Sequence, residues 1–121
     1  MTRDRLGPLG EEVAARFLEM RGARILERGY RHDGREIDIV AWDGRRVLFV
    51  EVKTRRGSRR GSPAHAVTWK KRKHIRSVAR AYLSERGAGG APVRFDVIEI
   101  VLAIGGLDLG LRYLPGAFRE G

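Results

Sequence analysis

The sequence contains no cysteine, which excludes disulfides, thiolate zinc centres and a cysteine nucleophile. It has no apolar run near the roughly 20 residues that a membrane-spanning helix needs. Its opening, MTRDRLGPLG, lacks the apolar stretch of a secretory leader. A cytoplasmic chain with no membrane partner is therefore expected. Acidic residues are missing from the whole interval between Glu51 and Glu85, while Lys53, Arg55, Arg56, Arg59, Arg60, Lys70, Lys71, Arg72, Lys73, Arg76 and Arg80 all fall inside it. Lysine itself is scarce, at 4 of the 25 basic residues. No GxGxxG or GxxxxGK(S/T) follows a strand-like segment, so nucleotide-cofactor binding has no motif behind it.

What is present is positive charge. Lys and Arg outnumber Asp and Glu 25 to 15, for a net charge of +10. A long single-sign block is the electrostatic footprint of a protein that meets a phosphate backbone. A solvated basic face is the plainer alternative, but charge and clustering together favour a nucleic-acid partner. With 121 residues, the chain has material for one core and no second, so residues 1–121 are expected to form a single domain.

Periodicity sets out the elements. PLGEEVAARFLEMRG puts Leu9, Val13, Phe17, Ala14 and Leu18 on one helical face, with Pro8 in the first turn and Gly22 as the stop. ARILERGYR, REIDIVAW and RVLFVEVK read as strands, with Asp43-Gly44 marking a hairpin between the last two. TRRGSRRGSPAHA is a basic loop. The segment that follows is a second helix, on which Ile75, Val78, Ala79, Tyr82 and Leu83 form the apolar stripe and Gly87 the end. VRFDVIEIVL and LGLRYL supply two more strands. The order α-β-β-β-α-β-β predicts an α/β sandwich: a meander, a helical crossover and a central mixed sheet covered on its faces by helices.

One stretch poses a chemical problem. VLFVEVKTR, from Val47 to Arg55, begins as a strand apolar on both faces and then presents Glu51 and Lys53. Its partner strand likewise turns charged toward one end, at Glu36 and Asp38. With unbroken period-2 alternation, Asp38 and Glu36 share a face, as do Glu51 and Lys53. A two-residue turn sets Asp38 diagonal to Glu51. A four-residue turn sets it directly opposite, with Glu36 opposite Lys53, and a three-residue turn separates the two sets. One lysine neutralises one carboxylate, and the rest repel. A salt-bridged strand end is the structural alternative. A hard divalent cation resolves the repulsion chemically, because Mg²⁺ favours one or two carboxylates together with water and phosphate oxygens. In an arginine-rich chain Lys53 is also a pointed choice, since a compact ammonium can approach a water or phosphoryl oxygen where a guanidinium is too wide.

Asp38 followed by Glu51-Val52-Lys53 resembles the PD-(D/E)xK signature of restriction-endonuclease-like nucleases, without its leading proline. More narrowly, GEEVAARFLEMRGARIL, EIDIVAWDG, LFVEVKTR, RFDVIEI and LRYLPGAF together resemble the YraN family of predicted endonucleases, similar in fold to archaeal Holliday-junction resolvases. That family reads Gly-Glu-Ile-Asp where Arg35 here separates Gly34 from Glu36. The resemblance implies a restriction-endonuclease-like α/β/α sandwich. It also brings in Glu11, which stands 11 residues before Gly22, as resolvases of this kind carry a helix glutamate that reaches the metal. By itself Glu11 reads as a first-turn acid facing the helix dipole. Asp96 fits the family too, but its plain reading is a salt bridge at a strand end.

The expectation is thus a Mg²⁺- or Mn²⁺-dependent endonuclease hydrolysing phosphodiesters, with DNA rather than RNA the expected partner and branched DNA a candidate substrate. Asp38 and Glu51 would hold the ion with the Val52 carbonyl, and Glu11 would be an outer or second-metal ligand. Lys53 would position water or stabilise the transition state. Glu36 would be a further ligand or a support for Lys53. Arg55, Arg56, Arg59, Arg60, Lys70, Lys71, Arg72, Lys73 and Arg76 would hold backbone phosphates. Trp69 is a candidate to stack on an unpaired base, against the commoner packing role. A homodimer follows by analogy, since cutting both arms of a junction takes two sites. The alternative is a non-catalytic nucleic-acid-binding module on the same fold.

Overall fold

The computed structural model describes residues 6–57, 67–102 and 109–119. The elements are α1 (Leu6–Met20), β1 (Arg24–His32), β2 (Arg35–Trp42), β3 (Val47–Arg56), α2 (Trp69–Glu85), β4 (Val93–Leu102) and β5 (Leu109–Phe118). This is the order predicted from the periodicity. Among the described residues no helix is long and apolar enough to cross a membrane.

Helix ends fall where the sequence marks them. Past α1, Gly22 takes φ +94°, its N–H donates to the Glu19 carbonyl at 2.9 Å, and the Ala23 N–H returns to Leu18 at 3.0 Å. A left-handed residue of this kind satisfies the last carbonyls of a helix and is easiest for glycine. Thr68 caps the start of α2 by accepting the Lys71 N–H at 3.1 Å.

The five strands form one mixed sheet in the order β1-β2-β3-β4-β5. Only β3 and β4 run parallel, because α2 carries the chain back before β4 begins. Each helix covers one face. α1 packs Ala14, Ala15 and Leu18 on Ile39, Leu48, Val50, Val52, Ile98 and Ile100. α2 packs its predicted stripe, all five members buried, over Val40, Phe49, Phe95 and Val97. The α/β/α layering is therefore as expected, and it explains why β2, β3 and β4 are apolar on both sides. One predicted member of the α1 stripe lies outside the core. Leu9, in the first turn of α1, is 52% exposed.

The two Asp-Gly dipeptides behave differently. Asp33 and Gly34, at φ 55° and 76°, make the two-residue turn between β1 and β2, closed by the His32–Arg35 pair. Asp43-Gly44 instead belongs to a four-residue turn that closes on Trp42–Val47. The Asp43 side chain accepts the N–H groups of Arg45 and Arg46 at 2.8 and 2.9 Å, which stabilises the longer loop. Of the registers left open by the sequence, the four-residue one is realised.

Asp96 is fully buried and fully satisfied. It accepts Arg94 at 2.8 and 3.0 Å, the Tyr113 hydroxyl at 2.6 Å and the Gly116 N–H at 2.9 Å. Burial, then its bond to Asp96, pushes the Tyr113 hydroxyl up to about 12. This is the salt-bridge role read from the sequence, and it fastens β5 to β4 across a bulge.

α1 meets β3 at a point with no room for a side chain. A Cβ on Gly10 would lie 2.0 Å from Thr54 Oγ1 and 3.1 Å from its Cβ. Gly10→Ala is expected to destabilise the fold by roughly 1–3 kcal/mol through overpacking. Urea denaturation checks this, and Thr54→Ala in the same chain should recover part of the loss.

Candidate functional site

The site is built where β2 and β3 come apart. Residues two apart in an unbroken strand share a face. Yet Ile37 lies in the α2-side core and Ile39 in the α1-side core, so β2 turns over at Asp38. Gly29 of β1, at φ +64°, lies between the pairs Arg28–Ile39 and Tyr30–Ile37 and lets β1 follow the same change. The β2–β3 pairing stops at Ile39–Val50. One step further, the Val52 N–H donates to Asp38 Oδ2 at 2.8 Å, a carboxylate standing where a β2 carbonyl would continue the ladder. A residue exchanges its N–H and C=O bonds with the same neighbouring strand, so the Val52 carbonyl is on the Asp38 side too. This corrects the expectation of unbroken alternation through Asp38.

Glu51 follows Val47 and Phe49 onto the α2-facing side and is only 4% exposed. Lys53 and Lys71 both place Nζ near Glu51 Oε2, at 3.7 and 3.4 Å. Burial, then the charge of adjacent Asp38, raises the Glu51 carboxyl to about 8, with Lys71 opposing, a hydrogen bond to Asp38 adding to the rise, and Lys53 also opposing. The neutral form of the Glu51 carboxyl is favoured as a result.

Glu11 and Glu36 are peripheral. Burial, then the charges of Asp38 and Glu36, raises the Glu11 carboxyl against the pull of Arg28, which places Glu11 beside those acids. Glu36 is half-buried, 3.8 Å from Arg31, and away from Lys53, which faces Glu51 instead. Among the described residues no three His, Asp or Glu side chains converge as a metal-binding group. The core of the site is a pair of carboxylates with two lysines.

The arginines divide. Arg55 forms an ion pair with buried Glu99 at 3.3 Å, alongside Arg112 donating from Nε at 2.7 Å. Arg72 donates to the Val67 carbonyl at 3.0 Å, Arg76 donates to the Arg119 carbonyl at 2.7 Å, and both stack over Phe118. These three act as braces. Arg56, Lys70 and Lys73 are exposed, while Arg59 and Arg60 lie outside the described residues. Trp69 is 69% exposed with Lys73 Nζ 4.8 Å from its ring, so it is a surface residue rather than a packing one. Sequence reasoning placed Lys71 with the phosphate-holding residues. Its scarcity as a lysine was the only hint of its position at Glu51.

A mixed five-stranded sheet between two helices, with an acid pair and two lysines at a parted hairpin, puts the protein in the class of α/β/α sandwiches. Within it, the chain belongs to the family described as uncharacterised protein family UPF0102, also called YraN, whose pattern matches residues 10–100. It is similar to the UPF0102 protein of Symbiobacterium thermophilum, 47% identical over 115 residues, or 95% of this chain and 97% of the relative. The Moorella thermoacetica protein is 43% identical over 118 residues, 98% of each chain. That of Alkaliphilus metalliredigens is 40% identical over 113 residues, 93% of this chain and 96% of its own.

The raised Glu51 carboxyl has a pH signature. Its folded value lies above the ordinary 4.5, so its contribution to stability is complete below about pH 4.5 and is lost as pH rises through about 8. Glu51→Gln mimics the protonated form. It is expected to match the wild type at about pH 5 and to exceed it by about 4 kcal/mol at about pH 9, measured by urea denaturation in metal-free buffer.

Proposed function

We propose that this protein is a nucleic-acid-binding, Mg²⁺- or Mn²⁺-dependent endonuclease that hydrolyses phosphodiester bonds, DNA in preference to RNA, with branched DNA among its substrates. The observation that carries the reading is the Asp38–Glu51 pair, two carboxyls in contact at the notch between β2 and β3. A buried acid held against a second one is a poor structural choice unless a cation offsets their charge. Mg²⁺ is bound by one or two carboxylates plus water and phosphate oxygens, so two acids and the Val52 carbonyl fit it without a third protein carboxylate. When bound, such an ion supplies charge to a phosphoryl oxygen and makes a water more acidic.

The chain's own groups would do the rest. Asp38 is fixed by the Val52 N–H, which sets one ligand direction. Lys53, projecting beside Glu51, would orient the attacking water or offset charge gathering on the phosphate. Glu11 would bind outer-sphere waters from α1, and Glu36 would add negative potential without contact. Exposed Arg56, Lys70 and Lys73 would hold the backbone, with Trp69 available to an unstacked base. A cytoplasmic homodimer would present two such sites to one junction.

The second reading, a binding module without catalysis, rests on a specific observation. Lys53 and Lys71 already offset the charge of the two acids. Incubation of branched DNA, duplex DNA and structured RNA with Mg²⁺ or Mn²⁺ separates the two. Cleavage is expected, abolished by EDTA and reduced at least about 100-fold by Asp38→Ala or Lys53→Ala. Binding with a steep salt dependence but no cleavage would leave the binding module alone standing.

A further inference from the structure

Two of the chain's four lysines meet at a single oxygen, Glu51 Oε2, and they are held differently. Lys53 follows Glu51 on the same face of β3, so its Cα position is locked by the central sheet. Lys71 reaches across from the first turn of α2, its side chain 41% exposed, on a stem of four methylenes. Its partner oxygen is buried, so the ammonium is drawn inward by charge rather than by apolar packing. Around it the start of α2 is rich in cations: Lys70 and Lys73 are exposed, and the first turn carries no acid. The nearest outward alternative for Lys71 is thus a surface of positive charge.

We propose that Lys71 is an exchangeable counter-ion: it offsets the charge of the Asp38–Glu51 pair while the site is empty, and when a divalent cation engages Glu51 its ammonium swings outward to a backbone phosphate. This rests on the reading of Asp38 and Glu51 as metal ligands. A dication on Glu51 and an ammonium 3.4 Å from the same oxygen repel each other, and one must leave. Lys71 has the freer path. Its release adds one cation to the phosphate-facing surface, so metal and nucleic acid each strengthen the other's binding, by the same factor in both directions.

The test uses the full chain with Ca²⁺, the DNA checked for intactness on gels. Calorimetric titration without DNA should show Lys71→Met binding Ca²⁺ about tenfold tighter than wild type. Fluorescence anisotropy with labelled DNA should show wild type gaining about tenfold in affinity on adding Ca²⁺, and Lys71→Met gaining less than about twofold. Lys71→Arg, which keeps the charge, should retain the gain. Lys73→Met should lower affinity equally with and without metal. Circular dichroism confirms folding, and Lys71→Gln replaces Lys71→Met should the latter not fold. Wild-type metal affinity and a full Ca²⁺-dependent gain in the Lys71 variant overturn the exchange and leave the metal site standing. A wild type that binds no divalent ion overturns both.

Discussion

The Val52 N–H to Asp38 bond is the constraint on which the rest of the site depends. In a regular ladder that N–H would be spent on a β2 carbonyl, and the two strands would run on together. Giving it a carboxylate satisfies the donor while ending the pairing. β2 turns over, and its acid arrives beside Glu51. A buried N–H cannot be left unpaired cheaply, so the bond that opens the notch also fixes the orientation of the acid within it. Strand divergence and placement of the acid are one event.

That event needs support from both sides. On one face α1 approaches β3 so closely at Gly10 and Thr54 that Glu11, the next residue, is carried toward Asp38. On the other, α2 lies over Phe49 and Phe95 and brings Lys71 to Glu51. The sheet between them is apolar on both surfaces through Val50, Val52 and Val97. Low local polarity there is what makes charge at Glu51 expensive and its surroundings so strongly basic.

Most of the fold was legible because its signals are local. The α2 stripe from Ile75 to Leu83, the Gly22 and Gly87 stops and the valine-rich strands each follow from a periodicity or a backbone preference. The site was legible in composition and less so in geometry. Asp38, Glu51 and Lys53 stood out as charges ending apolar strands, but alternation cannot reveal a strand that turns over. Gly29, an isolated glycine inside a strand pattern, was the available sign of that irregularity. The hairpin signal was divided between two Asp-Gly pairs, and only backbone bonding to the Asp43 side chain separates the long turn from the short one. Arg55 looked like a phosphate ligand because its partner, Glu99, is distant in sequence and adjacent only once β3 and β4 lie parallel.

The last strand has a larger part than its position at the sheet edge implies. Asp96 clamps β5 through Tyr113 and Gly116, and β5 in turn sets Phe118 beneath the guanidinium groups of Arg72 and Arg76. Those two arginines follow, along α2, the lysine that touches Glu51. The pitch of that helix over the sheet is consequently held from the far end of the chain. A carboxyl-terminal strut governs how deeply a side chain from the middle of the sequence reaches into the notch.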